Sequence, residues 1–401
     1  MTPLLLSAYT ATTCLGRGLD ATRSALREGR SGLAPCAFET VQLATWIGEV
    51  SAVDGERLPA GLATYDCRNN RLTQMGLETD GFADRVRAAI ARYGRTRVGV
   101  FLGTSTAGIL QTELAYRHRD SQTGALPDDF HYRTTHNSFS LAEFTRDYFG
   151  LEGMAMAIST ACSSSAKVFA SARRLMAAGL CDAAIVGGAD TLCETTLNGF
   201  ASLDAMSRGL CQPFSRNRDG INIGEGAAAF LLTPEECDVA LLGFGESSDA
   251  YHLSAPDPKG AGAADAMRAA LADAGLARDD IGYVNLHGTG TQLNDAMEGV
   301  AANEVFGSAM PCSSTKGMTG HMLGAAGACE AAFLYLALHR AYGSGRLPPH
   351  LWDGALDPDI PGLNFVKPGT RLELDARPAM LSNSFAFGGS NMALILGQGD
   401  L

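Results

Sequence analysis

The dominant constraint in this sequence is a unit that occurs twice in the same order: an apolar strand, a Gly/Thr loop, then a helix of small residues. In the first part, Arg97-Val98-Gly99-Val100-Phe101-Leu102-Gly103-Thr104 reads as a strand entering such a loop. Met154-Ala155-Met156-Ala157-Ile158 reads as a short buried strand, followed by strands at 182–188 and 226–232. In the second part, Ile281-Gly282-Tyr283-Val284-Asn285-Leu286-His287-Gly288-Thr289 is again strand, then loop. Gly320-His321-Met322-Leu323-Gly324 opens an alanine-rich helix, and 388–396 repeats the glycine-to-strand pattern near Gly226. Alternating strands and helices specify an α/β fold with buried sheets. Any α/β protein repeats strand, loop and helix; the recurrence of the loops in the same order is what argues for an internal duplication. The joint falls near Pro234 to Val239, giving halves 1–236 and 237–401.

With 401 residues, 46% of them apolar and 18% charged, the chain can build a large core. No apolar run is long enough to span a bilayer. The start, Met1-Thr2-Pro3-Leu4-Leu5-Leu6, lacks a basic segment and reads as a first strand, not a signal peptide, so a cytoplasmic location is expected. The ten cysteines include no Cys-x-x-Cys pair, and the eight histidines do not cluster at metal-ligand spacing. Buried thiols are therefore expected at Cys181, Cys193, Cys211, Cys237, Cys312 and Cys329, with no metal site. A formal charge of −12 argues against nucleic acid as a partner, while a local basic patch would still suit an acidic protein.

Ser159-Thr160-Ala161-Cys162-Ser163-Ser164-Ser165 lies where a strand gives way to a helix. Unpaired N–H groups and the positive end of the helix dipole favour a thiolate there, and the thiolate is the nucleophile. Alone, such a cysteine would also suit a hydrolase, a redox sensor or no chemistry at all. His287 directly follows an apolar strand and precedes Gly288-Thr289-Gly290-Thr291; His321 sits in a glycine-rich turn at a helix start. One such histidine is as often a core residue. Two in corresponding loops, with Cys162 in a third, fit a site assembled at the carboxyl ends of sheet strands.

These stretches resemble the beta-ketoacyl-acyl carrier protein synthases, elongating condensing enzymes of the thiolase superfamily. The resemblance rests on Thr160-Ala161-Cys162-Ser163-Ser164-Ser165, Asn285-Leu286-His287-Gly288-Thr289-Gly290-Thr291, Lys316-Gly317-Met318-Thr319-Gly320-His321 and Asn383-Ser384-Phe385-Ala386-Phe387-Gly388-Gly389-Ser390-Asn391. Arg218-Asp219-Gly220, Gly224-Glu225-Gly226 and Ser247-Ser248-Asp249-Ala250-Tyr251-His252 also fit, so the match runs nearly end to end. It implies a thiolase-like, duplicated α/β/α/β/α five-layered fold and a Cys-His-His site. Cys162 would hold the acyl chain, His287 and His321 would stabilise the enolate of a decarboxylating malonyl unit, and Lys316 would support them through Glu330. The backbone N–H groups of Cys162 and Phe387 would form the oxyanion hole, with Gly388 and Gly389 allowing the loop a close approach.

Thr289 and Thr291 match threonines that bond the phosphopantetheine arm, although turn chemistry alone would also place them there. Phe387 matches a gate, and Thr106 a position that limits the acyl pocket. Arg68, Arg71 and Arg208 match segments facing the carrier protein, although a solvated charged surface would read the same. The implied activity is decarboxylative Claisen condensation with malonyl-acyl carrier protein in fatty-acid, polyene or polyketide elongation. The implied partners are acyl carrier protein and a second subunit, in a homodimer or in a heterodimer with a chain-length-determining subunit. No bound cofactor is implied, because the phosphopantetheine arm arrives on the carrier. Gln292 replaces a proline often found after the Gly-Thr-x-Thr run, and Tyr65 to Arg71 departs from the housekeeping pattern. A thiolase would carry a second cysteine where Phe387 stands, and a non-catalytic partner subunit would lack the nucleophile.

Overall fold

The repeated pattern becomes two sheets of the same topology. The computed structural model describes residues 4–235, 237–342, 345–374 and 379–399. The first half contributes β1 (Leu4–Thr13), β2 (Val98–Gly103), β3 (Ala155–Ile158), β4 (Ala183–Asp190) and β5 (Gly226–Thr233). The second contributes β6 (Val239–Ser248), β7 (Ile281–Asn285), β8 (Pro311–Ser313), β9 (Ala379–Ala386) and β10 (Ser390–Gln398). Their spatial orders are β3-β2-β4-β5-β1 and β8-β7-β9-β10-β6. In both, three parallel strands are followed by two antiparallel ones, and the second carries a further two-residue strand, Asn364–Phe365, parallel to β8 at its outer edge. The sheets meet where Leu4 and Leu5 of β1 pair with Leu241 and Ala240 of β6. Met1–Pro3 and Glu236, at the expected start and joint, lie outside the described residues.

Helices fill three layers around these sheets. On the outer face of the first sheet lie α2 (Arg68–Leu77), α3 (Phe82–Tyr93) and α4 (Ser140–Tyr148), and α1 (Gly18–Glu28) packs against β1. On the second lie α6 (Ala261–Ala274) and α7 (Gln292–Phe306). Between the sheets run α5 (Ser164–Ala177) and α9 (Ala326–Leu338), the latter preceded by the single-turn α8 (Lys316–Thr319). The sequence of α9, Ala-Gly-Ala-Cys-Glu-Ala-Ala-Phe-Leu-Tyr-Leu-Ala-Leu, has no polar face, and every residue of it is buried. A helix apolar all round is stable only inside a core, and the central layer provides it.

The two central helices are fitted to each other at their N-termini. A Cβ on Gly327 would lie 2.7 Å from the Cβ and 2.9 Å from the N of Ala166, so glycine sets the approach. Ser165 Oγ accepts the Ala328 N–H at 2.9 Å, satisfying one of the orphan donors of the α9 first turn from outside that helix. The expected strand at 154–158 forms, but it is only partly buried. It is the last strand of the first sheet and pairs with β2 on one side only, so one backbone edge is left open within the protomer while its side chains are partly buried against the core.

Gly327→Val should force α5 and α9 apart. We expect a loss of about 1–3 kcal/mol of stability from overpacking, measurable by chemical denaturation, together with loss of activity because α9 carries Glu330 and α5 opens directly after the Cys162 turn.

Candidate active site

Cys162 sits in the turn between β3 and α5, as its sequence context requires. The residue before it, Ala161, has φ +50°, a left-handed backbone that a side-chain-bearing residue seldom adopts. Strain of this kind costs on the order of 1–3 kcal/mol and persists only where the surroundings hold it. Here the hold is dense. The Ala161 carbonyl accepts Ser164 Oγ (2.6 Å), Ser105 Oγ (3.1 Å) and the Ser164 N–H (3.1 Å). The Thr160 N–H donates to Ser164 Oγ (2.9 Å), and Ser163 Oγ donates to the Thr160 carbonyl (3.0 Å). The serine run after Cys162 therefore holds the elbow (Ser163, Ser164) and caps the neighbouring helix (Ser165).

Three loops bring the reactive groups together. His321 Nε2 lies 2.9 Å from Cys162 Sγ. The rings of His287 and His321 meet edge to face, with centroids 5.2 Å apart. Their N–H groups are anchored differently: His321 donates its backbone N–H to the Asn222 carbonyl (2.7 Å), and His287 donates its own to Glu298 Oε1 (2.7 Å). All three side chains are nearly fully buried yet line one cavity of about 330 Å³, together with Thr289, Thr291 and Phe387. Nδ1 of each histidine has no hydrogen-bond partner among the described residues, so neither imidazole is locked in one tautomer.

Burial first, and the Lys316 charge second, set the electrostatics of the site. It is fully buried, with Nζ 2.6 Å from Oε1 of the equally buried Glu330. Burial pulls both histidines well below the usual imidazole range, and the Lys316 charge pushes them in the same direction. Both rings are therefore neutral at physiological pH. Burial pushes the Cys162 thiol up to about 12, against the pull of Lys316 and of the backbone N–H groups of Phe387 and Cys162. The helix N-terminus does not by itself make a resting thiolate here, because desolvation outweighs it. The thiol instead lies against a neutral His321 that can take its proton. The same two backbone N–H groups favour negative charge on the sulfur, and an acyl oxygen bonded beside it would need such donors. Cys162 Sγ and the histidine nitrogens lie within 4.8 Å of one another, near enough to share a metal ion. The adjacent Lys316 ammonium opposes a second cation at that point.

The sequence did not single out Glu298, Asp295, Asp190 or Asn383, which shape the loops. Glu298 accepts the N–H groups of His287 and Gly288 (both 2.7 Å) and Asn383 Nδ2 (3.1 Å), and burial raises its carboxyl to about 7. Asp295 accepts Gly290 and Phe214 N–H groups. A signal was available: both acids fall in the helix that opens directly after Gly288-Thr289-Gly290-Thr291, where loop N–H groups need acceptors. Gln292 has a task too, donating Nε2 to the Arg218 carbonyl at 2.6 Å while its own carbonyl accepts Arg218 Nη2 at 3.2 Å. Thr289 and Thr291 hydroxyls lie 3.0 Å apart on the cavity wall. Phe387 is 42% exposed at the mouth, 5.7 Å from the ring of Phe200. The two glycines after it differ in purpose. Both have a left-handed φ, +80° at Gly388 and +74° at Gly389, but only Gly389 is also crowded, since a Cβ there would sit 2.7 Å from Asp249 Cβ.

Three expectations are corrected. Arg68 does not face a partner: it is 2% exposed, and its guanidinium binds Glu225 (2.6 and 3.0 Å), Asp54 (2.7 Å) and Glu49 (3.3 Å). Glu225 is fully buried, and its charge needs that cation. Arg71 is clamped bidentately by Asp66 (2.5 and 2.6 Å) beside a different cavity, lined by Gln111 and His131. Thr106 does not line the Cys162 cavity; it is buried, with its hydroxyl on Asp190 Oδ1 at 2.7 Å. Arg208, in contrast, is exposed, and its backbone N–H donates to Oδ2 of Asp219, a residue of the cavity wall, at 3.2 Å. The remaining cysteines are all free thiols, with Cys237 half-buried and the other five expected ones buried.

Comparison with known proteins agrees with this geometry. Residues 6–237 match the family model "Beta-ketoacyl synthase, N-terminal domain", and residues 239–351 match "Beta-ketoacyl synthase, C-terminal domain". The chain belongs to the beta-ketoacyl synthase family. Among curated members, 3-oxoacyl-[acyl-carrier-protein] synthase 2 of Staphylococcus aureus is 33% identical over 316 residues, covering 75% of this chain and 76% of that protein. Nodulation protein E of Rhizobium meliloti is 36% identical over 314 residues, covering 75% and 76%. A chain of the complex between the ketosynthase ApeO and its chain length factor ApeC from Xenorhabdus doucetiae superposes with TM-score 0.89 at 40% identity, covering 99% of this chain and 98% of that one. A beta-ketoacyl synthase from Burkholderia phymatum gives TM-score 0.86 at 28% identity, covering 99% and 100%. The beta-ketoacyl synthase described here thus has the thiolase-like, five-layered α/β fold.

Lys316→Met should remove the charge that depresses both imidazoles and strand Glu330 unpaired in the core. We expect a stability loss of about 3–5 kcal/mol and an upward shift of the His287 and His321 pKa values, followed by histidine NMR titration. Unmoved histidine titrations would show that Lys316 does not set their charge.

Proposed function

We propose that this chain catalyses decarboxylative Claisen condensation between an acyl chain held on Cys162 and malonyl-acyl carrier protein, giving 3-oxoacyl-acyl carrier protein and carbon dioxide. The observation that carries this reading is a buried thiol sharing one cavity with two neutral imidazoles. In the first step, Cys162 Sγ attacks the thioester carbonyl of an acyl-carrier protein. The thiol proton passes by way of His321 Nε2 to the departing pantetheine sulfur, and the acyl chain is left on Cys162. The Cys162 and Phe387 N–H groups stabilise the tetrahedral oxyanion.

Malonyl-carrier protein then enters the same cavity, with Thr289 and Thr291 along its arm. Loss of carbon dioxide puts negative charge on the thioester oxygen, where the N–H groups of His287 and His321 stabilise it. Neutral donors suit this step: an imidazolium would tend to protonate the carbanion and end the reaction at an acetyl thioester. Once Cys162 is acylated, His321 Nε2 is free to carry its proton into the cavity, and the unpartnered Nδ1 permits that tautomer. The enolate carbon attacks the Cys162 thioester, the new carbon–carbon bond forms, and the released cysteine sulfur takes up a proton. Phe387 gates the mouth in this scheme. No bound cofactor is required, because the phosphopantetheine arm comes with the carrier.

The carrier protein would dock at the mouth of the cavity, where Leu203 and Leu293 are exposed and Arg208 is tied to Asp219. A second subunit would cover β3, whose open backbone edge and Ala-Met-Ala-Ile sequence favour pairing with another strand. That subunit is a second copy or a related chain-length-determining subunit; the ApeO–ApeC and ishigamide ketosynthase/chain length factor structures are assemblies of the latter kind. No helix among the described residues is long and apolar enough to cross a membrane, and a cytoplasmic location fits this chemistry.

Incubated with acyl-carrier protein, the protein should gain the acyl mass on Cys162, and Cys162→Ala should gain none by intact-mass spectrometry. His287→Ala and His321→Ala should each slow carbon dioxide release from malonyl-carrier protein by about 10²–10³-fold, the usual effect of losing one oxyanion donor. Elongation by Cys162→Ala would refute the mechanism. Met156→Glu on β3 should dissociate the subunits in analytical ultracentrifugation while leaving the monomer folded; an unchanged sedimentation coefficient would place the interface elsewhere.

A further inference from the structure

Where α1 packs against α9, a second cavity of about 120 Å³ shares no lining residue with the Cys162 cavity. Four arginines line it: Arg23 and Arg27 from α1, and Arg346 and Arg371 from two short segments that pair antiparallel. Its wall is otherwise largely apolar and includes Leu26 and Phe333.

Both arginine pairs set like charges side by side. Arg23 and Arg27 stand four apart on one helix, the spacing at which like charges repel. Arg346 and Arg371 are direct partners across an antiparallel bridge. The flanking bonds run from the Leu347 N–H to the Thr370 carbonyl (3.1 Å) and from the Leu372 N–H to the Gly345 carbonyl (2.7 Å). This makes Arg346 and Arg371 the narrow, non-hydrogen-bonded pair, whose side chains leave one face of the ribbon and lie closest together. Like charges directly opposite are destabilising there. Arg23 has Asp20 at 2.9 Å and the Tyr342 ring at 5.8 Å. Arg27, Arg346 and Arg371 have no ion pair among the described residues. The chain carries 31 Lys and Arg against 43 Asp and Glu, so a cavity lined by four cations, with no acid among its described lining residues, runs against its composition.

We propose that this cavity binds a phosphate group carried on an aromatic or apolar stem. Guanidinium forks match the oxygens of phosphate and can bind them bidentately. A dianion placed between the two pairs replaces their mutual repulsion with attraction, and the apolar wall takes the stem. The site is separate from the condensing centre, so its ligand is held there and not turned over.

The test uses the full chain with phenyl phosphate as probe, at constant ionic strength, read by calorimetry and thermal unfolding with sodium chloride as control. Saturable binding and a ligand-dependent rise in Tm are expected with phenyl phosphate and not with chloride. Arg346→Glu gives Arg371 an acidic partner across the bridge. It should raise the Tm of the free protein, weaken phenyl phosphate binding by about tenfold or more, and leave acylation of Cys162 unchanged. Arg27→Gln, on the other element, should weaken binding in the same direction. Wild-type affinity in both variants, or no saturable binding by the native protein, would overturn the site. Equal affinity for inorganic phosphate would remove the stem from the proposal.

Discussion

The chemistry of this protein depends on one buried ion pair. Lys316 and Glu330 are both removed from water, 2.6 Å apart, at the junction of α8 and α9. A buried pair of this kind is not an efficient source of stability, because desolvation offsets much of its attraction. Its effect lies in the field it imposes. The ammonium adds to burial in keeping His287 and His321 neutral, and it opposes burial at the Cys162 thiol. A single charge thus favours two uncharged donors and eases ionisation of the sulfur between them.

That arrangement needs parts from both halves of the chain. Cys162 enters from the turn that leads into α5 in the first half; His287, Lys316, His321 and Phe387 come from the second. The contact that brings them together is the central helix layer, where Gly327 admits Ala166 and Ser165 caps the first turn of α9. Each half has its own outer apolar core, and a third is shared between them. The site lies at the end of that shared layer, so docking of the halves and assembly of the catalytic groups are one event.

Much of this was legible along the chain. The Cys162 elbow and the two Gly-loop histidines stand in contiguous motifs, because a strand–loop–helix turn is built from neighbours in sequence. Lys316 with Glu330 was legible through resemblance. The misreadings share a cause. Arg68 looks like a surface cation until Glu225, far away in sequence, arrives to bury it. Thr106 looks like a pocket residue until Asp190 captures its hydroxyl. The strand at 155–158 has the composition of a buried strand, and only the sheet order shows it to be an edge. In each case the deciding partner is distant in the chain.

By itself, the sequence determined the repeated α/β plan and singled out Cys162, His287 and His321, since periodicity and loop chemistry are local properties. Tertiary structure alone decided the protonation states. Sequence context suggested a thiolate at a helix N-terminus, but desolvation by the closed core makes Cys162 a thiol held against a neutral imidazole. Burial is a property of the whole fold, and no stretch of sequence encodes it alone.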